Sequence, residues 1–358
     1  MKRNIERINR LEQNSALPRE ELRALLETHS NEDSAHLFAR ARAVRESVYG
    51  KAVYLRGLIE LSSFCKNDCL YCGIRRGNQN AQRYRLTEKE ILACCQNGYS
   101  LGFRTFVLQG GEDAYFSDER MEPLVRRIRT EYPDCAITLS LGERSRRSYE
   151  TLFAAGADRY LLRHETANAA HYAALHPPEL QLQPRLDCLR TLKEIGYQVG
   201  CGFMVGSPGQ TTDCLLDDLA FLKDFQPHMV GIGPFLPHRD TPFAKEAPGT
   251  LEQTLFMLGL LRLLLPEALL PATTALGTVH HNGRELGLLA GANVVMPNLS
   301  PVAVRKKYML YDNKICTGEE AAECRFCLQR RVENAGYEIV SERGDHIRRQ
   351  TAKIRSKE

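Results

Sequence analysis

The feature that most constrains this chain is a recurring pattern of residue types. A short β-branched or aromatic run is followed by a turn, then by a stretch with 3.6-residue apolar spacing, and the cycle repeats. The strand candidates are YLRGLIELSSF (54–64), RTFVLQG (104–110), AITLSLG (136–142) and DRYLLRHE (158–165). They continue with YQVGCGFMV (197–205), HMVGIGPF (228–235), LPATTA (270–275) and ANVVMP (292–297), which makes eight. Between them lie helix candidates such as TEKEILACCQNGYSLG, SRRSYETLFAAG, RLDCLRTLKEIG and TTDCLLDDLAFLKDF. Several open on Ser or Thr and close on Gly, as N-caps and C′ positions favour. Eight units of about 30 residues predict an α/β fold of the (β/α)8 TIM type, with a doubly wound open sheet as the competing arrangement. Residues 1–50 read as an N-terminal helical extension and 51–300 as the barrel. Residues 301–358 read as a C-terminal segment that closes the barrel and carries a cysteine group.

Hydrophobic residues make up 43% of the 358, enough for a core of this size. The greasiest segment, LFMLGLLRLLLPEALL from Leu255, is broken by Arg262, Pro266 and Glu267 and reads as a core helix. The N-terminal MKRNIERINRLEQNSALPREEL lacks the apolar run of a signal peptide. No stretch reaches the roughly 18 apolar residues of a membrane span. The expectation is a cytoplasmic chain without a membrane partner. Lys+Arg 48 against Asp+Glu 44 leaves a formal charge of +4, too even a balance to argue for nucleic acid. The basic runs RRIRTEY and RSRRSYE read as solvated helix faces, and the tail RGDHIRRQTAKIRSKE as a frayed end.

Polar residues collect where a barrel places its active site, at the C-terminal ends of strands. Gln109 to Asp113 follow strand 2, and Ser140 to Glu143 follow strand 3. Arg163-His164-Glu165 end strand 4, Thr273-Thr274 lie in strand 7, and Pro297-Asn298 end strand 8. Charges at the end of an apolar strand cost burial unless something satisfies them. His280 and His281, in TVHHNGRE, suggest a metal pair at first sight. Adjacent residues on extended backbone point apart, so they read as loop residues.

Twelve cysteines without an export signal argue for a reducing compartment and against a disulfide framework. Cys94, Cys95, Cys135, Cys188, Cys201 and Cys214 are scattered in apolar or helical surroundings and read mostly as small core residues. The other six form two tight groups. In FCKNDCLYC, Cys65, Cys69 and Cys72 have the spacing C-x3-C-x2-C on a loop leaving strand 1. Thiolates bind soft metals. A structural zinc site wants four ligands, normally two separated pairs, and this loop offers three. Three thiolates on a [4Fe–4S] cluster leave one iron open to bind a substrate. A zinc site borrowing a distant ligand, or thiols holding no metal, are the competing explanations.

C-x3-C-x2-C with an aromatic residue, here Tyr71, before the third cysteine resembles the signature of the radical S-adenosylmethionine (radical SAM) superfamily. The resemblance implies a cluster whose open iron chelates the methionine end of S-adenosylmethionine (SAM). One electron then cleaves the sulfonium and releases a 5′-deoxyadenosyl radical. Gly110-Gly111-Glu112 matches the superfamily's GGE element, in which glycines let the backbone approach the SAM amino group.

The runs CLYCGIRRGN, VLQGGED, TLSLGE, GADRYLLRHETAN, MVGIGPFLPH, PATTALGT and YDNKIC resemble the HydE family of [FeFe]-hydrogenase maturases. That family's relatives are methylornithine synthase and, further away, biotin synthase. This implies action on an iron–cysteine precursor bearing CO and cyanide during H-cluster assembly. The implied partners are a low-potential electron donor and HydG-type and HydF-type maturases or their products. Carried over residue by residue, Cys65, Cys69 and Cys72 would ligate the cluster. Tyr71, Gly110, Gly111, Glu112, Ser140, Glu165 and Arg185 would contact SAM. Arg56, Gln109, Arg163, Met229, Thr273, Thr274 and Tyr308 would form the substrate cavity, although Met229 equally suits a gap in the core. Cys316, Cys324 and Cys327, spaced C-x7-C-x2-C, match an accessory iron–sulfur site of some family members, with zinc or plain surface thiols as alternatives. Gly110-Gly111-Glu112 departs from the Ser-Gly-Glu of the HydE pattern, which loosens that assignment and leaves SAM chemistry untouched. The competing functions are a methylornithine-synthase-like or biotin-synthase-like enzyme, and a non-catalytic cluster carrier.

Overall fold

A charge interrupts the first strand. Ala52–Leu55 (β1) and Gly57–Ser62 (β2) form one extended run broken at Arg56, whose side chain is 2% exposed. The computed structural model describes residues 2–318 and 321–348, with the backbone alone at 321–324. Further strands are Thr105–Gly110 (β3), Ala136–Ser140 (β4), Arg159–Leu161 (β5), Gln198–Cys201 (β6) and Met204–Val205 (β7). Met229–Val230 (β8), Gly233–Pro234 (β9), Val294–Val295 (β10) and Glu338–Val340 (β11) complete the set. The sheets run β2-β3-β4-β5-β6-β8, β10-β1-β11 and β7-β9, and among the described residues every pairing of these strands is parallel.

The ring closes. Tyr54 pairs with Val294, and parallel bridges join Met229 to Leu269, Pro271 to Val294 and Leu58 to Asn298. An open doubly wound sheet would leave two edges, whereas here the first barrel strand bonds to the last. The fold is a (β/α)8 barrel.

The seventh strand is the weakest. LPATTA contributes only the bridge at Pro271, with a second at Leu269 just before it, because proline brings no N–H to a ladder. Its threonines leave the strand, Thr273 as the N-cap of the helix Thr274–Val279 and Thr274 as that helix's first residue. Elsewhere the capping chemistry is as read. Thr87 forms a capping box with Glu90, Ser145 and Thr211 accept from backbone N–H groups, and Gly196 ends its helix at φ +107°.

Three helices precede the barrel, Lys2–Asn14 (α1), Arg19–Thr28 (α2) and Asn31–Tyr49 (α3). They explain the greasy segment. The helix Leu251–Leu264 is buried continuously from Thr254 to Leu264, because α3 covers the face turned away from the barrel. Gly259 allows that approach, since a Cβ there would sit 2.9 Å from Leu37 Cγ. Among the described residues no helix is long and apolar enough to cross a membrane.

The N-terminal end of the barrel is shut by the chain's own C-terminal segment. β11 lies parallel to β1, pairing Val53 with Ile339. The residues after it cross the base. Arg343 donates to the Cys135 carbonyl (2.7 Å) and pairs with Asp158 (2.6 Å), and Asp345 accepts from Arg159 (2.7 Å) and Gln198 (2.8 Å). The opposite end stays open around a cavity.

Candidate active site

The loop after β2 carries Cys65, Cys69 and Cys72, each partly exposed toward a cavity of about 270 Å³ at the C-terminal ends of the strands. Backbone bonds fix the loop from several sides. Lys66 N donates to the Glu112 carbonyl (2.9 Å), Leu70 N to that of Leu175 (3.0 Å) and Gly73 N to that of Leu310 (2.9 Å). Burial pushes all three thiols up, Cys69 to about 12, so a charged thiolate at this depth calls for a bound cation. Cys65 Sγ already accepts one backbone N–H, from Glu112 at 3.4 Å. The donor set is three soft ligands on one wall. Among the described residues no three His, Cys, Asp or Glu side chains are grouped closely enough to hold a single ion.

The element after β3 is built against this loop. Gly111 has no room for a Cβ, which would run into the Phe64 carbonyl and approach Cys65 Cβ at 2.8 Å. The cysteine loop alone therefore demands glycine there. Gly142, at φ +75°, likewise leaves space that the Glu112 side chain fills. Glu112 lies 3.3 Å from Lys66 Nζ and 3.7 Å from Arg185 Nη1. Arg185 Nη1 bonds Glu143 at 2.7 Å, and its Nε donates to the Arg163 carbonyl at 2.5 Å, so part of its fork is already engaged. Tyr71 lines the cavity with its hydroxyl 3.3 Å from His176 Nε2. Glu165 has φ +66°, a left-handed conformation that costs about 1–3 kcal/mol in a non-glycine residue and is commonest at functional sites.

The cavity brings together Cys65, Cys69, Cys72, Tyr71, Gly110, Gly111, Glu112, Ser140, Glu165, Arg185, Gln109, Arg163, Thr273 and Tyr308. Gln109 Nε2 donates to Tyr308 Oη at 3.3 Å. Two polar groups in this lining have no hydrogen-bond partner although buried: Nε and Nη2 of Arg163, and Oγ1 of Thr273. Arg163 Nη2 lies 3.2 Å from Glu165 Oε2 without the angle a hydrogen bond requires. Buried donors left this way are satisfied by a ligand or by water.

Three predicted cavity residues fall outside that lining. Arg56 and Met229 meet one layer deeper, around a void of about 10 Å³, where Arg56 Nη1 contacts Met229 Sδ. They belong there because residues of one barrel strand enter the interior in successive layers. Met229 packs with Tyr54, Leu269 and Val294, as a residue filling the core would. Thr274 is drawn aside by the helix it begins.

Sequence reasoning missed a buried ion pair beside the site. Lys314 Nζ bonds Glu60 Oε1 at 2.5 Å and the Tyr308 carbonyl at 2.9 Å, while Glu60 Oε2 accepts from Asn298 at 2.9 Å. It also missed Met204, Phe235, Leu310 and Tyr311 of the lining. A burial pattern marks such residues as core, and no local signal marks them as facing a hole.

The second cysteine group is peripheral. Cys316 is half-buried at φ +62°, with Arg284 Nη2 3.1 Å from its Sγ. Cys327 is exposed on the helix Ala321–Asn334, and the side chain of Cys324 lies outside the described residues. The expectation that His280 and His281 point apart does not hold, since a turn sets in at once and their rings lie 4.4 Å apart. Of the scattered thiols, five are buried in the core and Cys188 is half-buried.

Residues 59–222 match the Radical SAM superfamily. The chain is 46% identical over 318 residues to the [FeFe] hydrogenase maturase subunit HydE of Thermotoga maritima, covering 89% of this chain and 90% of that one. It is 32% identical over 282 residues to 3-methylornithine synthase of Methanosarcina acetivorans, covering 77% and 78%. The crystal structure of methylornithine synthase (PylB) superposes with a TM-score of 0.82 at 28% identity, over 93% of this chain and 97% of that one.

Proposed function

The chain belongs to the radical SAM superfamily, and from that premise we propose that it is a HydE-type maturase acting in assembly of the [FeFe]-hydrogenase H-cluster. The superfamily uses a [4Fe–4S] cluster and SAM. When bound, these supply a one-electron cleavage of the SAM sulfonium to a 5′-deoxyadenosyl radical. Cys65, Cys69 and Cys72 are the residues that would hold the cluster. Glu112, Ser140, Glu165 and Arg185 line the adjoining wall, where they would fix the methionine and ribose ends of SAM. Fixing a reactant next to the reducing group makes the transfer effectively intramolecular.

The observation that carries the choice of maturase is the pair of unpartnered donors in the same cavity, Arg163 and the hydroxyl of Thr273. A guanidinium lining the same cavity as the thiols suits an anionic substrate, and an iron–cysteine complex bearing cyanide is one. The barrel walls and the segment carrying Tyr308, Leu310 and Tyr311 line the cavity and would limit the access of water to the reacting groups. The proposed partners are a low-potential electron donor and HydG-type and HydF-type maturases or their products. The proposed location is the cytoplasm, whose reductants keep thiols available for metal.

The test adds the reconstituted protein to a hydrogenase maturation mixture lacking only HydE. Restored hydrogenase activity is expected. No restoration, together with conversion of lysine to methylornithine, would reassign the enzyme to its methylornithine synthase relatives. Release of no 5′-deoxyadenosine with dithionite and SAM would leave only a cluster carrier.

A further inference from the structure

Arg83 follows the cysteine loop and lies outside the cavity lining. Its guanidinium donates to four backbone carbonyls, those of Ser63, Ile74 (2.8 Å), Arg75 (2.6 Å) and Asn78 (3.2 Å). Ser63 stands two residues before Cys65, and the other three stand just after Cys72. One planar group thus fastens both ends of the segment that carries the three thiols. A guanidinium presents its donors in a fixed fork, which suits it to this and a lysine much less.

Buried arginines hold carbonyls elsewhere in this fold. Arg45 donates to Gly50 and Ala52, and Arg262 to Gly291, Pro266 and Ala268. Each also lies against a tyrosine ring, Tyr337 and Tyr49 respectively. Arg83 differs in its electrostatic surroundings. Like Arg45 and Arg262 it makes no ion pair with a carboxylate among the described residues, but two of the carbonyls it holds, those of Ser63 and Ile74, stand two residues from Cys65 and Cys72, which a bound cluster would take as thiolates. A cation in this position stabilises whichever state of a neighbouring group carries more negative charge.

We propose that Arg83 is a positioning residue of the cluster site, clamping the cysteine loop and placing an uncompensated positive charge beside Cys65 and Cys72 that eases reduction of the cluster. This rests on the reading that the three cysteines hold an iron–sulfur cluster, and the experiment separates the two. Full-length parent, Arg83→Gln and Arg83→Lys proteins are reconstituted anaerobically. Each is assayed for iron per chain, for rate of iron loss to a chelator, and for cluster midpoint potential by EPR titration without SAM. If the parent itself takes up no iron, the cluster reading fails.

With a loaded parent, Arg83→Gln is expected to be about tenfold harder to reduce, roughly 59 mV more negative for one electron. It is also expected to lose iron several-fold faster. Arg83→Lys keeps the charge but not the fork, so its midpoint should stay near the parent's while its iron loss accelerates. A purely structural arginine would change iron loss and leave the midpoint of Arg83→Gln at the parent value, and that result overturns the electrostatic role. Parent values in both measurements overturn the proposal entirely. Should Arg83→Gln not fold by circular dichroism, Arg83→Lys decides, with faster iron loss supporting the clamp and the parent rate sinking it.

Discussion

Arg159 and Arg163 stand four residues apart on one strand and its extension, one facing each end of the barrel, and their partners differ completely. At the base Arg159 gives its two Nη groups to the Thr105 hydroxyl, the Arg343 carbonyl and the Asp345 carboxylate. At the mouth Arg163 leaves Nε and Nη2 buried without a hydrogen-bond partner, where Arg159 leaves only its Nε, and the same cavity is lined by a threonine hydroxyl in that condition. The protein pairs one arginine with its own C-terminal segment, whereas the other has, among the described residues, only Glu165 as an ion-pair partner, at 3.2 Å. Arginines on one strand are thus held closely at one end of the barrel and loosely at the other.

The contrast can be broken at either arginine. Asp345→Ala removes a carboxylate that is 5% exposed and strands Arg159. Breaking a buried pair this way costs about 3–5 kcal/mol. Chemical denaturation should register a loss of that size, whereas 5′-deoxyadenosine release per folded, cluster-loaded chain should stay within twofold of the parent. A change of less than 1 kcal/mol would mean the base is not held by this pair.

Arg163→Gln should do the reverse. It removes a partly exposed guanidinium whose ion pair with Glu165, at 3.2 Å, is outside hydrogen-bond geometry, so stability should change by no more than about 1 kcal/mol. Maturation activity should fall at least tenfold, equivalent to about 1.4 kcal/mol. Equal effects on both readouts would erase the distinction between the two ends.

The finest discrimination comes from acid. Burial alone would raise the Asp345 carboxyl, but Arg159 and Arg343 beside it hold it far below the ordinary carboxylate range. A carboxyl depressed in this way contributes its full stability above its unfolded pKa of about 4. That contribution fades only as pH falls below that value toward the folded one. The stability difference between parent and Asp345→Asn should therefore be flat from pH 7 to about 4.5 and shrink below about 4. A difference that already shrinks by pH 6 would contradict the pairing.

The sequence made the mouth more legible than the base, for a physical reason. Cys65, Cys69 and Cys72 are close in the chain because one loop must present them together, so their spacing is visible without a fold. The alternation of strands and helices, with caps at Thr87, Ser145 and Thr211, disclosed the barrel in the same local way. Arg159 and Asp345 lie 186 positions apart, and Lys314 and Glu60 lie 254 apart. Nothing local marks such partners. Arg56 and Met229, named by resemblance, lie one layer below the cavity lining, a depth that a matching motif does not carry. Thr273 and Thr274 were read as strand because β-branched residues favour strands, yet Thr serves equally well to start a helix.

That the floor is laid by β11 and the residues just beyond it bears on the order of events during synthesis. A nascent chain that has finished all eight staves still lacks Asp345, and its Arg159 and Gln198 face an unsealed opening until residues 338–345 leave the ribosome. Closure of the base therefore follows synthesis of the barrel strands.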